Sequence, residues 1–116
     1  MRHHNTNRKF GRETDQRTAL LRSLACNLIN YEKMITTEAK AKEIRPFVEK
    51  LVTKAKEDNV ATRRLVSQYL VSPKQTAKIF KEIAPKYKDR KGGYLRIVKL
   101  GQRGGDGSKM AIVEFV

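Results

Sequence analysis

The sequence predicts an α+β fold, with about four helices and a few short strands in one domain behind a basic extended N-terminal arm. Apolar residues recur at helical spacing over most of the chain, and from Tyr87 onward they recur at every second residue. With 116 residues the chain is long enough for one small core. We therefore expect an arm over residues 1–12 and a single globular domain over residues 13–116.

The arm contains no acidic residue and almost nothing that can be buried, with Phe10 as the exception. Because so little apolar surface cannot offset the entropy of ordering a chain, we expect the arm to be disordered alone and ordered against a polyanion. A merely solvated terminal tail is the alternative. The candidate RNA-contacting residues of the arm are Arg2, His3, Arg8, Lys9 and Arg12.

The first helix is predicted over about residues 13–31, with its apolar residues on one face and Arg17 and Arg22 on the opposite face. The expected inward residues are Leu20, Leu21, Leu24, Ala25, Leu28 and Ile29. A short strand is predicted over residues 33–37 because β-branched residues dominate a segment too short for a helix.

The second helix is predicted to begin after Thr37, which is placed to cap it. Pro46 lies inside this helix and removes one backbone hydrogen bond, so a kink near residues 42–46 or a break into two pieces is expected. The expected inward residues are Ala41, Ile44, Val48, Leu51, Val52 and Ala55.

Two more helices and two strands complete the prediction. Asn59 is the expected cap of a third helix over about residues 60–71. Ser72 and Pro73 are expected to begin a fourth helix, which Pro85 ends. Strands are predicted over residues 94–100 and 110–116, joined by a glycine-rich loop that is longer than a tight hairpin needs. The expected inward residues of the fourth helix are Ala77, Phe80, Ile83 and Ala84.

The charge of the chain points to an anionic partner. Lys and Arg number 26 against 12 Asp and Glu, which gives a net charge of +14. Such an excess favours nucleic acid, with an anionic membrane surface as the competing candidate. The sequence has neither a signal peptide nor an apolar run that would span a bilayer, so we expect the protein to stay in the compartment where it is made.

The sequence gives little support to an enzyme. His3 and His4 are adjacent in the arm, and Cys26 is more simply explained as a small core side chain than as a reactive thiol. The glycine-rich loop over residues 101–109 lies between two strands and lacks the helix N-terminus that a phosphate-cradling loop needs. We expect no metal, no cofactor and no small-molecule substrate.

Residues 90–94 combine two cations, Arg90 and Lys91, with two glycines and Tyr94. Tyr94 either stacks on a base or a ribose or lies in the core behind an ordinary turn, and both interpretations stay open. Arg96 alternates onto the following strand, and Arg103 is expected at a flexible basic tip that reaches phosphates.

Short motifs along the whole chain resemble those of a known family in their order and spacing. They are MRH at residues 1–3, RKFGR at 8–12, RTALLR at 17–22, ITT at 35–37, AKAKE at 39–43, RRL at 63–65, RKGGYLR at 90–96 and GD at 105–106. Together they resemble the bacterial large-subunit ribosomal protein number seventeen family. Gln16, Phe10 and Leu95 depart from that family's usual residues, and Leu95 puts one hydroxyl contact to RNA in doubt.

The resemblance implies a structural constituent of the large ribosomal subunit that binds large-subunit rRNA near the peptide exit tunnel. It implies a cytoplasmic ribosome component beside neighbouring ribosomal proteins such as number thirty-two, without enzymatic activity. It also implies that the early strand joins the two late strands in a small three-stranded mixed sheet with helices packed around it. The motifs of the globular part suggest RNA contacts at Arg17, Arg22, Lys40, Lys42, Arg63, Arg64, Arg90, Lys91, Tyr94 and Arg96.

Two alternatives come from other functional classes. A free-standing DNA-binding protein would need a base-reading helix, for which the third helix with Arg63, Arg64 and Gln68 is the candidate. A peripheral membrane protein would use the basic surface on anionic lipid, although the apolar stripe of the second helix is needed for the core.

Overall fold

The structure is a computed structural model that describes residues 14–116. The arm and its five candidate RNA contacts therefore lie outside the described residues. Within residues 14–116 the predicted α+β class is confirmed. The elements are α1 (Thr14–Tyr31), β1 (Lys33–Thr37), α2 (Glu38–Ala55), α3 (Val60–Leu70), α4 (Pro73–Lys78), β2 (Leu95–Gln102) and β3 (Lys109–Phe115).

The three strands form one sheet in the order β1-β3-β2, and both pairs of neighbouring strands are antiparallel. The expectation of a mixed sheet is therefore wrong. Because β3 lies between the other two strands and runs opposite to each, no parallel pair forms. The face toward α2 is closed by Ala111, Val113 and Leu95, which are all buried.

Helix α2 is the centre of the core. It packs against α1, α3 and all three strands, and every residue of its predicted apolar stripe is buried. Thr37 caps it as predicted, because the Thr37 Oγ1 accepts a hydrogen bond from the Lys40 backbone N at 3.4 Å. The helix runs unbroken through Pro46, so the break does not occur. Ile44 and Val48 are fully buried on either side of the proline, and this packing offsets the lost backbone bond.

Helix α1 is enclosed only at its C-terminal half. Its fully buried residues are Ala25, Leu28 and Ile29, whereas the earlier leucines of the predicted inward face are half-buried. Leu21 and Leu24 pack against the edge of the core. The N-terminal half of α1 therefore leaves an open space beside α2.

The third helix begins as predicted. Asn59 Oδ1 accepts from the Thr62 backbone N at 2.9 Å, and Thr62 Oγ1 accepts from the Asn59 backbone N at 3.1 Å. These two bonds form a capping box and satisfy two backbone donors that the first turn of a helix leaves free.

The fourth helical segment differs from the prediction. Pro73 begins α4 as expected, but regular α-helix ends at Lys78 and continues as a π-helical turn (Ile79–Ile83) and a 3₁₀ turn (Ala84–Tyr87). Pro85 therefore lies in the first turn of the 3₁₀ segment and does not end the helical path. The wider turn brings Ile79 inward, while Ala77, expected to face inward, is exposed.

The β2–β3 connection is shorter than predicted, because the strands extend to Gln102 and Lys109. Leu100 is the extra residue of a bulge, since Lys99 pairs with Ala111 and Gly101 pairs with Met110. Gly101 has a φ of 95°, which a residue with a side chain rarely adopts. The connecting loop is thus reduced to residues 103–108. No described helix is both long and apolar enough to cross a bilayer.

Candidate nucleic-acid interface

Several of the predicted RNA-binding cations are already paired with a carboxylate. An exposed ion pair contributes only about 0–1 kcal/mol, so a phosphate can compete for the cation, but the existing partner must be released first. Pairing therefore makes these cations poorer candidates than unpaired ones. The pairs are Lys42 Nζ with Glu38 Oε1 at 2.9 Å, Arg63 Nη2 with Asp58 Oδ2 at 2.8 Å, Arg96 Nε with Glu114 Oε1 at 2.7 Å and Arg103 Nη2 with Asp106 Oδ2 at 2.6 Å.

The loop at residues 103–108 is held together by its own hydrogen bonds. Arg103 donates to both carboxylate oxygens of Asp106, and the Ser108 backbone N donates to Asp106 Oδ1 at 3.1 Å. The hydrogen bond from Arg103, followed by that from Ser108, holds the pKa of Asp106 well below its usual range. The adjacent carboxylate pairs with the guanidinium of Arg103, so the predicted phosphate contact of Arg103, which stays a prediction, requires this ion pair to open.

Arg17 lies on the same side of α1 as the leucines, so the prediction is wrong for Arg17, whereas Arg22 lies on the side away from them, as predicted. Arg17 is four residues before Leu21, so the two share a side of α1. Both arginines are half-buried, and within residues 14–116 the buried Nε atom of each has no hydrogen-bond partner. Arg17 Nη2 donates to Thr14 Oγ1 at 3.0 Å.

Tyr94 is a core residue, so its predicted stacking on RNA is wrong. Its side chain has no exposed surface, and its ring centroid lies 5.1 Å from that of Tyr87. The hydroxyl forms a hydrogen bond with Thr53 Oγ1 at 3.1 Å. Glu49 Oε2 accepts from the backbone N of Tyr94 at 2.9 Å, which joins the start of β2 to α2. Of the two interpretations that the sequence left open for Tyr94, the structure shows the core position.

The burial of Tyr94 fixes the position of the cations before it. Arg90 and Lys91 are exposed, and neither forms an ion pair within the described part of the chain. The Arg90 carbonyl accepts a hydrogen bond from Lys56 Nζ, and Gly93 has a φ of 65°, which suits glycine at this turn. The two side chains therefore project from a loop with a fixed backbone.

Lys50 and Lys54 extend this basic surface, and the sequence analysis did not select them. They lie one turn apart on the exposed side of α2, and they line a groove together with Gly92 and Gly93. The signal in the sequence was the absence of an acidic residue three or four positions from Lys50. We call Lys50, Lys54, Arg90 and Lys91 the basic ridge. Its members form no ion pair with any residue that the structure describes.

The remaining predicted cations lie apart from the ridge or at its margin. Arg64 is exposed on α3, and Lys40 is half-buried in the first turn of α2. The guanidinium of Arg63 lies 5.3 Å from the centre of the Phe80 ring, in addition to its pair with Asp58.

The structure shows no arrangement that suggests metal or thiol chemistry in the described residues. No group of three or more His, Cys, Asp or Glu side chains in residues 14–116 is placed to hold a metal ion. The Cys26 Sγ donates to the Leu70 carbonyl at 3.3 Å, and burial raises the pKa of its thiol. A protonated thiol in this position fits the predicted core role.

Comparison with known proteins gives a consistent result. Residues 20–116 match the family model described as ribosomal protein L17. The chain is 50% identical over 116 residues to a protein of Dictyoglomus turgidum named large ribosomal subunit protein bL17, with 100% of each chain covered. Proteins of the same name from Thermomicrobium roseum and Trichlorobacter lovleyi are 51% and 45% identical over 116 residues, with 99% and 94% of their lengths covered.

Proposed function

The chain belongs to the ribosomal protein L17 family, and from this premise we propose that it is a structural constituent of the bacterial large ribosomal subunit that binds large-subunit rRNA. In this role it works in the cytoplasm, supports subunit assembly and translation, and catalyses no reaction. Its position near the peptide exit tunnel, beside neighbours such as ribosomal protein number thirty-two, rests on the family resemblance.

The basic ridge is the observation that carries the RNA-binding proposal. Four cations without carboxylate partners among the described residues lie on one helix and the loop bonded to it. The folded backbone holds these positive charges on neighbouring elements of one surface, where an anion can offset them. A phosphate backbone supplies negative charges at the required density. Specificity then comes from the shape of the folded RNA and from ribose hydroxyls.

The arm contributes the second half of the proposed interface. Arg2, His3, Arg8, Lys9 and Arg12 thread between rRNA segments that the globular part does not reach. Deleting residues 1–12 removes none of the core residues that lie within residues 14–116, so the domain is expected to fold while incorporation into the subunit weakens. Competition between intact and truncated chains during subunit assembly measures this loss. Equal incorporation of the two chains would refute the role of the arm.

The proposal is tested by titrating the full chain with bacterial large-subunit rRNA at several salt concentrations. If about 6 to 10 phosphates are neutralised, affinity falls by roughly 10³ to 10⁵ between 50 and 200 mM salt. Duplex DNA and anionic vesicles serve as competitors in the same assay. A preference for DNA would support a DNA-binding protein, and vesicle binding that survives ribonuclease would support a membrane protein.

A further inference from the structure

A groove beside the basic ridge carries an inference that deepens the proposed function. The groove lies between the N-terminal half of α1, the middle of α2 and the end of α3, with a volume of about 430 Å³. It exists because α1 is fully enclosed only from Ala25 onward. We call it the α1–α2 groove. Cavities of this size lie within the range of small-molecule sites and are large enough for one nucleotide.

An aromatic ring lies in the groove. Tyr69 of α3 is 40% exposed, and its ring meets Phe47 of α2 edge to face, with centroids 5.9 Å apart and planes at 85°. This packing holds the tyrosine in place, so a base that stacks on its open face loses little side-chain entropy. Tyr31 is also exposed but does not line the groove, which makes it a matched control.

Three cations and one carboxylate, that of Glu43, line the groove together with this ring. Lys50 and Lys54 of the basic ridge line the groove along α2, and Arg17 lines it from α1. The hydroxyl of Thr18 adds a hydrogen-bonding group on the same wall. The Arg17 Nε is buried and has no hydrogen-bond partner within residues 14–116. A buried donor without a partner is costly, and an acceptor brought by a ligand removes that cost.

We propose that the α1–α2 groove binds one unpaired nucleotide of the large-subunit rRNA, with its base stacked on Tyr69. Lys50 and Lys54 contact the phosphates on either side of this nucleotide, and Arg17 donates to it from the opposite wall. Sequence-specific RNA recognition commonly uses bases that leave the helical stack and lie on aromatic side chains. This inference rests on the proposed function, because it specifies how the same rRNA is held.

The test compares three full-length variants in rRNA binding. Tyr69→Ala is expected to weaken binding about tenfold, the effect of losing one stacked base. Tyr69→Phe keeps the ring and is expected to bind like the unaltered chain, as is Tyr31→Ala. Binding by Tyr69→Ala as tight as that by Tyr31→Ala would overturn the inference, provided that the melting temperature shows the variant to be folded.

A second measurement keeps the inference testable if Tyr69→Ala fails to fold. Ultraviolet crosslinking of the unaltered chain in intact large subunits is expected to join Tyr69, but not Tyr31, to RNA. A crosslink from Tyr69 to protein, or RNA adducts at Tyr31 alone, would contradict it. The proposed function fails separately, if the full chain does not bind large-subunit rRNA at cellular ionic strength at all.

Discussion

Two loops of the molecule combine cations with glycines but differ in whether those cations are paired with a carboxylate. Residues 90–93 present Arg90 and Lys91 without carboxylate partners in the described chain, whereas residues 103–108 contain an arginine clasped by Asp106. The first loop is anchored by the buried Tyr94 and by Glu49, which accepts from the Tyr94 backbone N, so its cations remain available to bind an anion. The second loop is fixed by its own cation. The way a loop is anchored therefore affects how readily its positive charge can bind a phosphate.

The largest expected effect comes from removing the anchor of the first loop. Tyr94→Ala deletes a fully buried ring that packs on Tyr87, so the free energy of unfolding should fall by about 3–5 kcal/mol. Thermal and urea unfolding measure this change. Tyr94→Phe keeps the ring but loses the hydroxyl bond to Thr53, which should cost only about 0.5–1.5 kcal/mol. Equal losses from both changes would mean that ring burial is not the source of stability.

A smaller loss is expected when the carboxylate under the same loop is removed. Glu49 Oε2 accepts from the backbone N of Tyr94 at 2.9 Å and from that of Leu95 at 3.4 Å. Glu49→Ala leaves both donors unsatisfied and should cost about 1.5–3 kcal/mol in urea unfolding. Glu57→Ala, at an exposed glutamate, is the control and should change little. A loss at Glu57 that matched the loss at Glu49 would argue against the anchor.

Removing the cations of each loop in turn tests which loop binds rRNA phosphates. The double change of Arg90 and Lys91 to Ala should leave unfolding unchanged while lowering the salt slope of rRNA binding by about 1.5–2. Arg103→Ala should lower the slope less, because its guanidinium is already paired with Asp106. A larger slope change for Arg103→Ala would reverse the assignment of the two loops.

The smallest effect is expected from protonating Asp106, the carboxylate that pairs with Arg103. Arg103 lowers the pKa of Asp106 in the folded chain. The Arg103–Asp106 ion pair therefore stabilises the fold at any pH above the pKa that Asp106 has in the unfolded chain. This stabilisation is lost only as the pH falls through the lower pKa of the folded chain. The Ser108 amide, which donates to Asp106, should therefore keep its NMR shift from pH 7 down to about the usual Asp pKa of 3.9. A transition centred near that pKa would show that the carboxylate is not held.

Asp106→Asn tests the same clasp through binding. The change releases the guanidinium of Arg103 and should raise the salt slope slightly without altering the fold. A decrease in the slope would indicate that Asp106 supports binding directly.

The sequence was most informative where periodicity and capping determine the structure. The limits of β1, the cap at Asn59 and the whole inward stripe of α2 follow from local rules. The antiparallel pairing of β1 could not be predicted from local sequence, because it depends on the direction in which β3 enters the sheet after the helices between the two strands. The π-helical turn after Lys78 was also missed, because tertiary packing overrides simple helical phase there.

The candidate site was harder to predict than the fold. Composition identifies an excess of cations but not which of them have found carboxylates, since Arg96 and Glu114 meet across two strands. Arg17 was placed on the wrong face because its charge was given more weight than its spacing of four residues to Leu21. Tyr94 was undecided because a ring after two glycines fits both a core and a stacking role.

The most direct test of the central claim is lysine acetylation footprinting of the full chain, free and bound to large-subunit rRNA. The claim is that unpaired cations on the basic ridge bind the RNA, whereas lysines paired with carboxylates contribute little. Lys50, Lys54 and Lys91 are expected to become protected on binding. Lys42 and Lys99, which both pair with Glu38, are expected to stay as reactive as in the free chain. Protection of the paired lysines together with continued reactivity of the ridge would contradict the account.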